Sequence, residues 1–263
     1  MVQTHDEEPF TPPKLTADQF HISSQTVRRR LKYGGLECHR PYVGQVLKPE
    51  HIEARLRWGI NKRRWYGPQW EQVLFSDESR FNFHFHDGRV KIWRRRGKRF
   101  DPKCIKEVDR CGGGSVMIWA GITAEHRTEL TIFDGNVNAA VYVNDVLLPR
   151  VVPFFRTHRD IVLFQQDNAR PHTANLSKAC LEHHRIALLD WPAKSPDMSP
   201  IEHLWDELGR RVRKRNILNV RELRQALIEE YNAIDQHIIA NLIASMRRRV
   251  SSLIDARGGH THY

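Results

Sequence analysis

The stretch that decides the fold is FQQDNARPHTA, residues 164–174. It follows the apolar run Ile161-Val162-Leu163-Phe164 and ends in two amides, Asp167, Arg170 and His172. A short apolar run bounded by polar residues fits a buried strand. Asp167 then emerges at the strand's end, at the edge of a sheet. Two other acids stand at comparable places. QVLFSDES (72–79) reads as a strand that closes on Asp77. DMSPIEHLWDEL (197–208) reads as a helix whose first turn carries Glu202. Between Asp167 and Glu202 lie 34 residues, enough for one helix, one strand and one loop. Such a path returns the Glu202 helix beside the strand that ends at Asp167.

Outward from these three points the pattern is mixed. FNFHFHD (81–87) alternates, VKIWRR (90–95), VMIWAGIT (116–123) and TELTIF (128–133) are strand-like, and 138–156 reads as helix. Strand 161–166, helix 173–184, strand 186–191, a helix from Ile201 and helices over 219–234 and 238–256 follow. Strands first, then strands alternating with helices, predict an α/β fold with a mixed sheet flanked by helices.

Each acid has an ordinary reading. An Asp at a strand end is most often a turn residue or cap. Ser199, Pro200 and Glu202 occupy the N-cap, first and third helical positions of a capping box. The apolar stripe Ile201, Leu204, Trp205, Leu208 and Val212 leaves Glu202 on its flank, about 100° from Ile201. Spacing leaves cap and ligand both open. As a set the acids suit a hard divalent cation, which takes oxygen ligands. Two such ions about 3.5–4 Å apart can hold the attacking and leaving oxygens of a phosphodiester.

SDES, QQDNARPH and KSPDMSPIEHLWDEL, in this order, resemble the catalytic blocks of the mariner-type superfamily of DDE transposases, in its Tc-like branch. The 34-residue gap, WYGPQWEQVLFSDESRF, CGGGSVMIWAGI and the ending ARGGHTHY are similar to that branch too. The resemblance runs from about residue 23 to the end. It implies an RNase H-like core with Asp77, Asp167 and Glu202 as catalytic metal ligands for Mg²⁺, with Mn²⁺ as the alternative, two ions in all. It further implies cleavage at transposon ends and strand transfer into TA-containing double-stranded DNA, a homodimer, and action in the nucleus. Asn168 and His172 are implied as groups behind the metal ligands or facing DNA. The competing readings are a catalytically silent DNA-binding protein derived from a transposase, and an RNase H-like nuclease without strand transfer.

The amino-terminal part is basic. SSQTVRRRLKYGGL (23–36) reads as a helix capped by Ser23-Ser24 and stopped at Gly34-Gly35, with Val27 and Leu31 inward. It resembles the second helix-turn-helix of these transposases. Arg28, Arg29, Arg30 and Lys32 then face DNA, where phosphate contacts add salt-dependent affinity. The expected organisation is an unstructured tail (1–20), a partial helix-turn-helix (21–48), a basic helical linker (49–70) and the catalytic domain (71–263). Because the family carries two such units, the chain reads as amino-terminally shortened.

Composition agrees. Lys and Arg exceed Asp and Glu by 42 to 31, a formal charge of +11, which favours a polyanionic partner. No apolar run is long enough to span a membrane. Cys38, Cys104, Cys111 and Cys180 form no C-x-x-C pair and read as reduced thiols. Gly112-Gly113-Gly114-Ser115 lacks the Lys of a phosphate-binding loop, so no nucleotide cofactor is implied. His84-x-His86 and Cys180-x-x-His183 lack matching ligand pairs and read as ordinary side chains. Trp58, Trp65 and Trp70 read as packing residues.

Overall fold

The computed structural model describes residues 1–40, 42–43, 46–83, 91–106 and 114–263. They form two units, residues 1–46 with 85–111, and residues 47–84 with 112–263. His84, His86, Cys111, Gly112 and Gly113 lie outside the described residues.

The first unit opens with α1 (Val2–Glu7), α2 (Pro13–Gln19) and α3 (Ser24–Tyr33). The tail expected over 1–20 is therefore corrected to two helices. Pro13 sits at the start of α2, where a missing N–H costs nothing. Ala17 buries with Val27, Leu31, Leu36 and Trp93 in a small core. The two helices that share this core thus begin at Pro13, ahead of the segment expected to start at residue 21. Ser23 caps α3 as expected, its hydroxyl accepting from Thr26 N at 3.1 Å. Gly35, at φ +79°, takes a backbone conformation that suits glycine at the helix end. Strands β1 (Glu37–His39) and β2 (Tyr42–Val43) follow.

The chain enters the second unit through α4 (Pro49–Lys62), α5 (Gly67–Glu71) and β3 (Val73–Asn82). Residues 49–70, expected to be a linker, are integral to this unit. Trp58 and Trp70 are buried, and Trp58 meets Trp191 edge-on at 5.0 Å. The chain returns to the first unit for β4 (Ile92–Arg94), antiparallel to β1, and β5 (Ile105–Lys106), parallel to β2. The segment 85–111 therefore leaves the domain expected over 71–263.

The rest belongs to the second unit. It holds β6 (Ser115–Ile122), β7 (Thr131–Phe133), α6 (Ala139–Val141), a π-wound segment (Tyr142–Val151), α7 (Val152–Thr157) and β8 (Leu163–Gln165). After these come α8 (Arg170–Thr173), α9 (Asn175–His183), β9 (Ala187–Leu188), α10 (Pro200–Val212), α11 (Val220–Asn232), α12 (Gln236–Ala244) and α13 (Met246–Asp255). The π winding answers Pro149, which has no N–H to give and would clash in a tighter turn; the N–H of Val152 reaches back to Leu147 O.

The sheet order is β7-β6-β3-β8-β9. β7, β6 and β3 run antiparallel in sequence, and β3, β8 and β9 are parallel. Side chains alternate across β3. Val73 and Phe75 face a core shared with α4, α5 and α10–α13, while Leu74 faces a second core with Trp119, Tyr142 and Phe164. The sheet is thus covered on both faces, as expected for a mixed α/β layer. Among the described residues no helix is long and apolar enough to cross a membrane.

Candidate active site

The last pair on the parallel ladder of β3 and β8 is Phe75 with Gln165. Two residues further along each chain stand Asp77 and Asp167. Asp77 does not close its strand, as the sequence suggested. β3 runs on to Asn82, paired with β6. It is β8 that stops, and this uncovers the β8 side of β3 from Asp77 onward.

Alternation then sorts the polar groups. Asp77 shares the face of Phe75 and meets α10, where Trp205 Nε1 donates to Asp77 Oδ2 at 3.0 Å. Glu78 lies on the other face, against the π-wound segment and α8. There His172, buried at 3% exposure, puts Nε2 3.0 Å from Glu78 Oε1 and Nδ1 2.7 Å from Asp167 Oδ1. The Tyr142 ring lies 4.3 Å from the His172 ring, and its hydroxyl donates to Gln166 Oε1 at 2.6 Å. Gln165 binds the sheet instead. Its Oε1 accepts from Ser76 N at 3.3 Å, and its carbonyl from Ser76 Oγ at 2.8 Å. The polar crowding after Phe164 is therefore a scaffold for Asp167.

Glu202 lies in the first turn of α10, and the capping box open in the sequence does not form. Ser199 makes no side-chain cap bond, and its buried hydroxyl has no partner among the described residues. Both Glu202 carboxylate oxygens stay clear of hydrogen bonds among the described residues, and the side chain is partly buried. Its field is felt at Asp77, and that of Asp167 at Glu202.

The electrostatics describe a surplus of negative charge. Burial, then the charges of Glu202, Glu78 and Asp167, hold the Asp77 carboxyl well above its ordinary range, against the Trp205 hydrogen bond. Burial, then Asp206 and Asp167, push Glu202 up to about 7. Burial opposes charge on Asp167, yet the His172 contact and the Ala169 N–H override it and lower its value. Burial likewise opposes charge on His172, but bonds to Asp167 and Glu78 carry it up to about 10. One imidazolium thus serves two of the carboxylates.

Among the described residues no group of three or more His, Cys, Asp or Glu is arranged to hold a metal ion. The donor set itself fits a hard cation. Asp77 Oδ1, Asp167 Oδ2 and both oxygens of Glu202 are left without a hydrogen bond among the described residues, while Trp205, His172 and Ala169 occupy the others. A bound cation would relieve the repulsion that raises Asp77 and Glu202.

Asn168 turns away from this group: its Nδ2 donates to Trp191 O at 2.9 Å and ties the Asp167 loop to the segment after β9. Glu78, Trp205 and Tyr142 were not singled out in the sequence. Glu78 was within SDES, and its signal was its place next to an Asp on an alternating strand. In the first unit, Arg28, Arg29, Arg30 and Lys32 are exposed on α3, with Val27 and Leu31 beneath them. Arg28, Arg29 and Lys32 line an open depression of about 830 Å³ with Gln25, Cys38 and Trp93; Arg30 lies outside it.

Residues 72–224 match the family model described as DDE superfamily endonuclease. The Tcb2 transposase of Caenorhabditis briggsae is 36% identical over 249 residues, which cover 94% of this chain and 91% of that protein. The Tc1 transposase of Caenorhabditis elegans is 35% identical over 243 residues, covering 92% and 88%. Among solved structures, the Mos1 mariner paired end complex with Mn superposes with a TM-score of 0.67 at 20% identity, covering 96% of this chain and 76% of that one. The catalytic domain of Mos1 mariner transposase is covered completely, at a TM-score of 0.63 and 18% identity. The fold of the second unit is accordingly RNase H-like, as the sequence resemblance implied.

Proposed function

The chain belongs to the DDE superfamily endonucleases, among the Tc1/mariner transposases, and on that premise we propose that it cleaves DNA at transposon ends and joins the freed ends to target DNA. The observation that supports this reading is that Asp77 and Asp167 each stand two residues past the last β3–β8 pair, and that Trp205, one helical turn after Glu202 on α10, donates to Asp77.

The cations that fit this group are Mg²⁺ or Mn²⁺, two of them, held by Asp77, Asp167 and Glu202. When bound they supply charge for the attacking and leaving oxygens of a phosphodiester. The protein's part is to hold the carboxylates ready. His172 fixes Asp167 through Oδ1 and leaves Oδ2 to face a cation. Trp205 does the same for Asp77 through Oδ2. Glu202, spared from capping, keeps both oxygens available. Hydrolysis breaks one P–O bond at the transposon end and leaves a 3′-hydroxyl. That hydroxyl then forms a new P–O bond at a TA step of the target while another breaks. The solved relatives of this fold include Mos1 complexes described as paired-end, with Mn or Mg, and as a strand transfer complex. A homodimer holding two ends in the nucleus completes the reading, with Arg28, Arg29, Arg30 and Lys32 on DNA phosphates.

The test is nicking of supercoiled plasmid with Mg²⁺ or Mn²⁺, followed by joining of a pre-cut end to a TA-containing target. The reading requires both, and loss of both in Asp167→Asn. Nicking without joining would make the protein a nuclease. DNA binding with neither would make it the silent binding protein.

A further inference from the structure

Glu202 can serve with the other two acids only if α10 starts in the right place, and the groups that fix this start are not those three carboxylates. Arg55, on α4, is 1% exposed. Its guanidinium forks onto Asp197, Nη1 to Oδ1 and Nη2 to Oδ2, each at 2.7 Å. Nη1 also donates to Lys194 O at 3.0 Å, Nη2 to Gly259 O at 2.9 Å and Nε to Gly258 O at 2.9 Å. All five donors of the side chain are thereby used. Asp197 sits in the turn Pro196–Met198 that leads into Ser199 and α10. Its Oδ2 accepts from Thr261 Oγ1 at 2.9 Å, and its carbonyl accepts from Arg249 Nη1, on α13, at 2.9 Å. Five residues before Glu202, the chain is held by both its backbone and its side chain.

The approach to that turn is held as well. Trp58, also on α4, donates Nε1 to Asp190 O at 2.6 Å, and Asn168 takes the next carbonyl, of Trp191. The connection from Asp167 to Glu202 is therefore pinned by α4 at two points and by the neighbour of Asp167 at a third. A buried ion pair is a poor source of net stability, because desolvation offsets much of its attraction. What a planar fork supplies is fixed geometry, which a lysine's point charge does not.

We propose that Arg55 is a positioning residue: acting through Asp197, it sets the turn that starts α10 and so places Glu202 beside Asp77 and Asp167. The proposal rests on the reading of that group as the cation-holding centre of a transposase.

The experiment uses the full chain and the variants Arg55→Lys, Asp197→Asn and the milder Thr261→Val. Three quantities are read well below each melting temperature: Mn²⁺ binding by the loss of free-ion resonance, amide exchange over residues 199–206, and the melting temperature itself. The two ionic variants are expected to weaken Mn²⁺ binding by about tenfold or more and to lose protection in the first turn of α10, with β3 and β8 unchanged. Thr261→Val shows both changes in smaller measure, and decides the matter where the ionic variants do not fold. A lowered melting temperature with unchanged Mn²⁺ binding and unchanged protection in the folded fraction overturns the proposal. Asp77→Asn is the control for the reading beneath it. If the unaltered chain binds no Mn²⁺ that this change removes, the functional reading fails. Protection over 199–206 then decides alone, and unchanged protection overturns the role of Arg55.

Discussion

His172 bridges Glu78 and Asp167, one ring nitrogen to each, at 3.0 and 2.7 Å. Glu78 thereby acts on Asp167 across the gap that opens where β8 ends. Glu78→Gln keeps a hydrogen-bonding atom at His172 Nε2 but removes the charge. His172→Ala releases Asp167 altogether. Losing such a supporting partner costs roughly 10–100-fold in metal affinity or activity. Metal-dependent nicking is therefore expected to fall about tenfold in Glu78→Gln and further in His172→Ala, with DNA binding unchanged. Plasmid nicking beside a gel-shift assay checks it.

Asp77 illustrates a trade of stability for function. Burial and three neighbouring carboxylates raise its value, so its charged form destabilises the metal-free fold. Asp77→Asn removes that repulsion and keeps an oxygen for Trp205. Without metal the variant is expected to melt about 2–4 °C higher, the equivalent of about 1 kcal/mol in a domain of this size, while nicking falls to background. Scanning calorimetry with and without Mn²⁺ separates the two effects.

Asp197 predicts an acid limb in stability. Burial raises its value, but the Arg55 fork and Thr261 outweigh burial and hold it below 3.8. A carboxyl lowered in the folded state contributes stability that is present above its ordinary value and lost as pH falls through the folded one. Asp197→Asn leaves Arg55 buried without its partner and is expected to cost about 3 kcal/mol at pH 7. The gap between the two proteins should narrow as pH drops below 3.8. Urea titrations from pH 7 to pH 3 measure it.

Arg28, Arg29, Arg30 and Lys32 are exposed on α3. Each one that neutralises a phosphate contributes about 0.9 to the slope of log affinity against log salt. Replacing Arg28 or Arg29 by Gln is expected to lower that slope by about one, almost independently of DNA sequence. Binding isotherms at several salt concentrations provide the slope.

The strands that carry Asp77 and lead to Asp167, and the helix bearing Glu202, were legible because each rests on local pattern: a short apolar run, or a stripe at helical spacing. The supporting residues were not. Arg55 and Asp197 are 142 positions apart, and no local period joins them. A comparable distance hid the packing of Trp58 against Trp191, so α4 read as a basic linker. The capping box and the ligand role compete for Glu202 with the same residues, and the unpartnered Ser199 hydroxyl shows only that the box does not form. Residues 238–256 read as one helix, yet Ser245 breaks it. The Ser245 hydroxyl donates to Leu242 O at 2.6 Å and accepts from Arg249 at 2.9 Å, a local bond that competes with the helix ladder.

The most direct test of the account is anomalous scattering at the manganese edge from crystals of the full chain soaked in Mn²⁺. The account predicts density at the end of β8, ligated by Asp77 Oδ1, Asp167 Oδ2 and Glu202, and its loss in Asp77→Asn. Manganese bound elsewhere, with Glu202 turned to solvent and nicking intact in Asp77→Asn, would contradict it.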